Sequence, residues 1–101
     1  MPRVVRWLGV AALATVVCCG IATAAVGRDV AAGCAACHGT DGRSRGSVPS
    51  LAGRDKDELV RAMRELRDGR RPSTIMPQLL QGYTDAELDA AAAYFAAQKA
   101  P

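Results

Sequence analysis

Cys34-Ala35-Ala36-Cys37-His38 decides how the rest of this 101-residue chain is read. On a helical turn, residues i, i+3 and i+4 share one face, so both thiols and the imidazole point at the same object. Two thiols that can each add to a vinyl group, followed at once by a ring nitrogen that can reach iron, make the attachment signature of a c-type haem. The CxxC half of the motif also serves thioredoxin-like redox pairs and zinc sites. A redox pair wants a βαβ pattern around it, and none is visible. A zinc site wants a second pair of ligands. His38 is the single histidine, and the remaining cysteines, Cys18 and Cys19, are adjacent to each other in an apolar run.

That run belongs to a segment with the build of an export signal. Arg3 and Arg6 form a basic start, Trp7 to Cys19 is uncharged and mostly apolar, and Ala22-Thr23-Ala24-Ala25 offers small residues for cleavage. The expectation is a signal peptide over residues 1–25 and one small domain over 26–101. The alternative is an uncleaved anchor, since the uncharged stretch from Trp7 to Gly27 is long enough to span a bilayer. Export and haem support each other, because covalent haem attachment takes place outside the bacterial cytoplasm. The expected location is therefore the periplasm, with membrane contact only through an uncleaved leader. Loss of Arg3 and Arg6 leaves 11 basic against 10 acidic residues. The basic balance of the full chain is thus partly a property of the leader, and no nucleic-acid partner is expected.

The rest of the chain reads as all-α, with no strand pattern or repeat. Arg28 to Cys37 is expected to be a first helix. Gly39 to Ser47 is a loop by composition, and Val48-Pro49-Ser50-Leu51-Ala52-Gly53 follows it. Asp55 caps a second helix with the apolar stripe Leu59, Met63, Leu66. Arg61, Arg64, Arg67, Arg70 and Arg71 cluster in and after that helix. Glu65 and Asp68 lie four residues after Arg61 and Arg64, the spacing of helical ion pairs. Ser73 to Pro77 is expected to be extended or turn-like, because Pro77 biases Met76 away from helical geometry. Gln78 to Gln81 is a candidate short turn of helix. Thr84-Asp85-Ala86-Glu87 is a capping box that starts a last, alanine-rich helix running to about Gln98.

The iron ligands follow from elimination within this set. His38 supplies the fifth. Met76, in a segment free to approach the opposite face, is the candidate for the sixth. Met63 is the alternative, although a methionine in a helical stripe is more often core filler. An iron-bound histidine commonly donates its other ring N–H to a carbonyl. The Pro49 carbonyl is the candidate acceptor, with Leu51 packing on the ring. The expected site is therefore Cys34, Cys37, His38, Pro49, Leu51 and Met76, with His38 and Met76 on the metal. A domain this small has a thin core, so the haem-free chain is expected to be largely unfolded.

On these residues the chain resembles a small class I cytochrome c across its whole post-leader length. Cys34 to Gly39, Pro49-Ser-Leu-Ala-Gly53, Met76, and Gly82 through Phe95 carry the likeness. More narrowly, Gly69-Arg-Arg-Pro-Ser-Thr-Ile-Met76 and Gly82-Tyr-Thr-Asp85 resemble the cytochrome subunit of sulfide dehydrogenase (flavocytochrome c). The resemblance implies three or four helices wrapped around one covalently bound haem c. It also implies that the first and last helices cross, with Gly27 against Phe95 or Tyr94. The implied function is electron transfer, as a periplasmic carrier or as the haem subunit of a flavoprotein sulfide dehydrogenase. The implied partner is a redox protein. The competing class is an open-iron enzyme or sensor, such as a peroxidase or gas binder. The absence of a second histidine or an acid–base pair argues against catalysis by this chain itself.

Overall fold

The computed structural model describes residues 2–101, with side chains from Gly20 onward. The basic start, the apolar stretch to Cys19 and the pair Cys18 and Cys19 lie outside the described side chains. All regular structure among the described residues is helical: α1 (Pro2–His38), a 3-10 turn (Thr40–Gly42), α2 (Lys56–Arg67), α3 (Met76–Leu80) and α4 (Asp85–Ala96). This is the small all-α architecture that the resemblance implies. Among the described residues, no helix is long and apolar enough to cross a membrane.

α1 differs from the expected Arg28–Cys37 at its N-terminal side. The residues from Gly20 to Gly27 carry no proline and are rich in alanine, so nothing stops the helix at Gly27. Gly27 is buried, and its role is close approach. A Cβ built there would collide with the carbonyl of Ala90 on α4. The two helices do cross, and their packing is the largest contact in the fold. The contact at Gly27 is Ala90, however, rather than Phe95 or Tyr94. The aromatic pair sits further along α4, where Phe95 joins Ala31, Leu59 and Ala92 in the buried core. That core is mostly small side chains. Within that cluster Leu59 and Phe95, and beside it the buried Leu80 and Leu88, each bring the ~1.5–3 kcal/mol that burying a large apolar side chain yields.

α2 and α4 begin with the caps their sequences prescribe. Asp55 accepts a hydrogen bond from the Glu58 N–H at 3.0 Å. Thr84 accepts from the Glu87 N–H at 3.2 Å, while the Glu87 carboxylate accepts from the Thr84 N–H at 3.0 Å, a complete capping box. At α2 the box stays open, because the Glu58 carboxylate is drawn instead to Arg54.

Two local expectations are corrected. Met76 is helical, the first residue of α3. Pro77 sits in the first turn, where its missing N–H costs nothing because those amides have no intrahelical partner anyway. The arginines also pair differently from the i, i+4 pattern. Glu65 binds Arg71 at 2.9 Å, Asp68 binds Arg70 at 3.2 Å, and Arg67 reaches across to Asp85 on α4 at 2.7 Å. The chain beyond Asp68 folds back over the end of α2 and takes the acids that Arg61 and Arg64 would have used.

A candidate cofactor site

α1 ends on the motif, so Cys34, Cys37 and His38 share its last turn. Cys34 is half-buried. Its thiol donates to the Val30 carbonyl at 3.6 Å, and burial pushes its pKa above the ordinary thiol value. Cys37 is exposed, and both cysteines are free thiols. His38 is buried at 9 % exposure. Its Nδ1 lies 2.7 Å from the Pro49 carbonyl oxygen. A carbonyl only accepts, so Nδ1 carries the proton and Nε2 keeps its lone pair. Nε2 has no protein partner among the described residues.

The Pro49 carbonyl reaches His38 because the intervening loop is pinned at Gly42. The Gly42 carbonyl accepts from the Leu51 N–H at 2.8 Å and the Ala52 N–H at 3.2 Å, closing residues 43–50 into a loop beside the end of α1. Gly42 has φ 78°, and a Cβ there would strike the Phe95 ring. Neither the backbone angle nor the space admits another residue. Asp41 beside it is also left-handed, at φ 54°. Its carboxylate accepts from the Tyr94 hydroxyl at 2.5 Å, which ties the loop to α4.

These elements enclose a cavity of about 610 Å³, within the ~300–1,000 Å³ range of cofactor sites. Cys34, Cys37, His38, Pro49, Leu51 and Met76 all lie on its wall. α2 forms one side through Leu59, Ala62, Met63 and Leu66. Both candidate methionines therefore reach the space. They differ in what else they touch: Met63 packs against the buried Ala31–Leu59–Ala92–Phe95 cluster, whereas Met76 stands half-buried outside it. Sequence reasoning passed over Leu80 and Tyr83, which also line the cavity. Leu80 is buried and lies four residues after Met76, on the same helical face. That spacing was the available signal. Tyr83 places its hydroxyl against Gly33 of α1, a contact no local pattern announces.

Two thiols, an imidazole nitrogen with a free lone pair and a thioether on one apolar wall fit a covalently held haem. No group of three or more His, Cys, Asp or Glu side chains that could hold a bare metal ion occurs among the described residues.

Residues 22–95 match the family model described as cytochrome c oxidase, cbb3-type, subunit III. Among curated proteins, the chain is 44 % identical over 77 residues to cytochrome c4 of Pseudomonas aeruginosa, covering 75 % of this chain and 38 % of that one. It is 40 % identical over 62 residues to the cytochrome subunit of sulfide dehydrogenase of Chlorobaculum tepidum, covering 61 % and 56 %. It is 35 % identical over 80 residues to cytochrome c-554(548) of Halomonas halodenitrificans, covering 75 % and 96 %. The chain thus matches well under half of the cytochrome c4 and just over half of the sulfide dehydrogenase subunit, but nearly all of the third relative.

Proposed function

The chain belongs to the class I c-type cytochromes, proteins built on covalently bound haem c, and from that membership we propose that it is a one-electron carrier with a single haem. Haem, when bound, supplies the iron(III)/iron(II) couple. The observation that carries the reading is the wall of the cavity. It presents one imidazole oriented by a carbonyl, one thioether outside the core, and no acid–base pair. Cys34 and Cys37 hold the group covalently from α1. His38 is the fifth ligand. Its Nδ1–H on Pro49 fixes the ring and raises the basicity of Nε2. Leu51 packs against the macrocycle. Met76 would be the second iron ligand, since it is the thioether of the cavity wall that stands outside the buried cluster. A thioether favours iron(II) and raises the potential relative to a second imidazole. With His38 and Met76 both holding the iron, oxygen and peroxide would be excluded from it, which suits electron exchange.

The test is ligand binding. The ferrous holoprotein should not bind carbon monoxide at neutral pH. Met76→Ala should open the position, admit carbon monoxide and lower the potential. Ready binding by the unmodified protein overturns the carrier reading. Unchanged spectra in Met76→Ala assign the ligand to Met63.

The likeness to a sulfide dehydrogenase subunit supports a dehydrogenase, specifically a flavoprotein, as the electron donor. Co-purification of the native protein with a flavin-bearing chain tests that. Residues 1–25 are proposed to act as an export leader that delivers the domain to the periplasm. The intact mass should equal residues 25–101 or 26–101 plus one haem.

A further inference from the structure

The outer face of α2 carries cations that nothing in the fold uses. Six arginines lie between Arg54 and Arg71. Arg54, Arg67, Arg70 and Arg71 are ion-paired, to Glu58, Asp85, Asp68 and Glu65 respectively. Arg61 and Arg64 make no hydrogen bond or ion pair among the described residues. They stand one turn apart, at i and i+3, on a single helical face. Their expected acids, Glu65 and Asp68, have been taken by Arg71 and Arg70. Arg64 influences Asp85 only through its charge, behind the direct hydrogen bond from Arg67.

The two free guanidiniums border a concavity of about 380 Å³ lined by Asp57, Val60, Arg61, Arg64, Glu65 and Arg70. Glu65 is neutralised by Arg71, which leaves Asp57 as the unpaired acid, at the N-terminal end. The unpaired positive charge of the concavity is therefore that of Arg61 and Arg64. Val60 offers an apolar floor. The opposite face of the same helix, through Leu59, Ala62, Met63 and Leu66, is a wall of the 610 Å³ cavity. Whatever sits on the arginines is separated from that cavity by one helix, about 10–12 Å across.

We infer that this face of α2 docks an acidic patch of a redox protein, with Arg61 and Arg64 each receiving a carboxylate. A guanidinium presents a rigid fork of donors that matches a carboxylate in two contacts. Two such forks one turn apart select a pair of carboxylates over a single one. Leaving both unpaired in the free protein removes the cost of breaking internal ion pairs when the partner arrives. Charge of this kind acts mainly on encounter rate and orientation. It would therefore present the partner across α2 from the haem. The inference rests on the electron-transfer reading.

The experiment uses the holoprotein and a decaglutamate peptide as the probe, followed through backbone amide shifts. Shifts should concentrate between residues 57 and 70 and fade as salt is raised. The variant R61Q/R64Q should bind at least about fivefold more weakly. The variant R45Q/K99Q removes the same net charge from residues outside α2 and should bind like the unmodified protein. Equal weakening in both variants means net charge alone is at work and overturns the docking face, as does a shift pattern spread over the whole surface. A cationic cobalt(III) complex then serves as a separate oxidant. If all three proteins reduce it at the same rate while the peptide result fails, the docking face is wrong and the carrier reading stands. If none reduces it, the carrier reading itself fails.

Discussion

At the scale of single residues, the ties that matter join positions far apart in the chain. Tyr94 and Asp41 are 53 residues apart, and their hydrogen bond locks the loop that brings Pro49 to His38. The hydrogen bond to Asp41, followed by partial burial and the Asp41 charge, holds the Tyr94 hydroxyl above its ordinary pKa of 10.0. The folded state therefore keeps this proton more tightly than the unfolded chain does. Its contribution is complete below about pH 10 and is lost as the pH rises through the raised folded value. Tyr94→Phe should cost about 1 kcal/mol at neutral pH, and its stability should fall less steeply than that of the parent above pH 10. Chemical denaturation at the two pH values checks both expectations. The motif cysteines, His38 and the 11-residue spacing to Pro49 could be read from the chain alone. Asp41 could not be, because its left-handed backbone and its partner on α4 have no local sequence signature.

At the scale of elements, what was legible was what is local. Both capped helices could be read from Asp55 and from Thr84-Asp85-Ala86-Glu87, because a cap involves only four consecutive residues. α3 could not, since Pro77 argues against helix at Met76 but is also welcome within a first turn. The arginine pairing is hidden from the sequence for a related reason. Helical spacing cannot foresee a chain that folds back after Gly69 and competes for Glu65. Thr84→Ala should cost about 1 kcal/mol, seen as a lowered thermal midpoint. The same helix start governs acid sensitivity. The Thr84 backbone N–H and hydroxyl hold Glu87 below the usual carboxylate range, and the Arg67 hydrogen bond and charge do so for Asp85. Depressed folded values mean stability that is present above the ordinary carboxylate pKa and lost as pH falls through the folded ones. The parent should thus lose stability on acidification more than Thr84→Ala does. At the α1–α4 crossing, Gly27→Ala forces a methyl into the Ala90 carbonyl and should cost roughly 1–3 kcal/mol. A midpoint within a degree of the parent would mean that the crossing is looser than the packing of Gly27 on Ala90 implies.

At the scale of the whole molecule, the cavity sets the balance. Without its group, a largely apolar cleft of about 610 Å³ faces water, in a molecule whose class of small domain has a net stability of only ~5–15 kcal/mol. The buried core, Val30, Leu59, Leu80, Leu88 and Phe95 beside five alanines, is thin for a domain that must also cover that cleft. A Cys34→Ala, Cys37→Ala chain that cannot retain haem should show little cooperative helical structure by circular dichroism. A sharp thermal transition in that variant would contradict the expectation. The walls of the cavity are also unequal. The His38 side is built from α1, the Gly42 loop and α4, fastened by the Gly53 N–H to Phe95 carbonyl bond at 2.9 Å and by Tyr94. On the Met76 side, α3 rests chiefly on α2, and Ile75 and Leu79 remain largely exposed. The fold thus has a seam. Amide protons at Leu79, Gly82 and Tyr83 should exchange with solvent through a small opening that leaves Gly53 protected. The two walls would then differ in lifetime: Met76 can leave and regain its place many times while His38 stays in its own until the molecule unfolds.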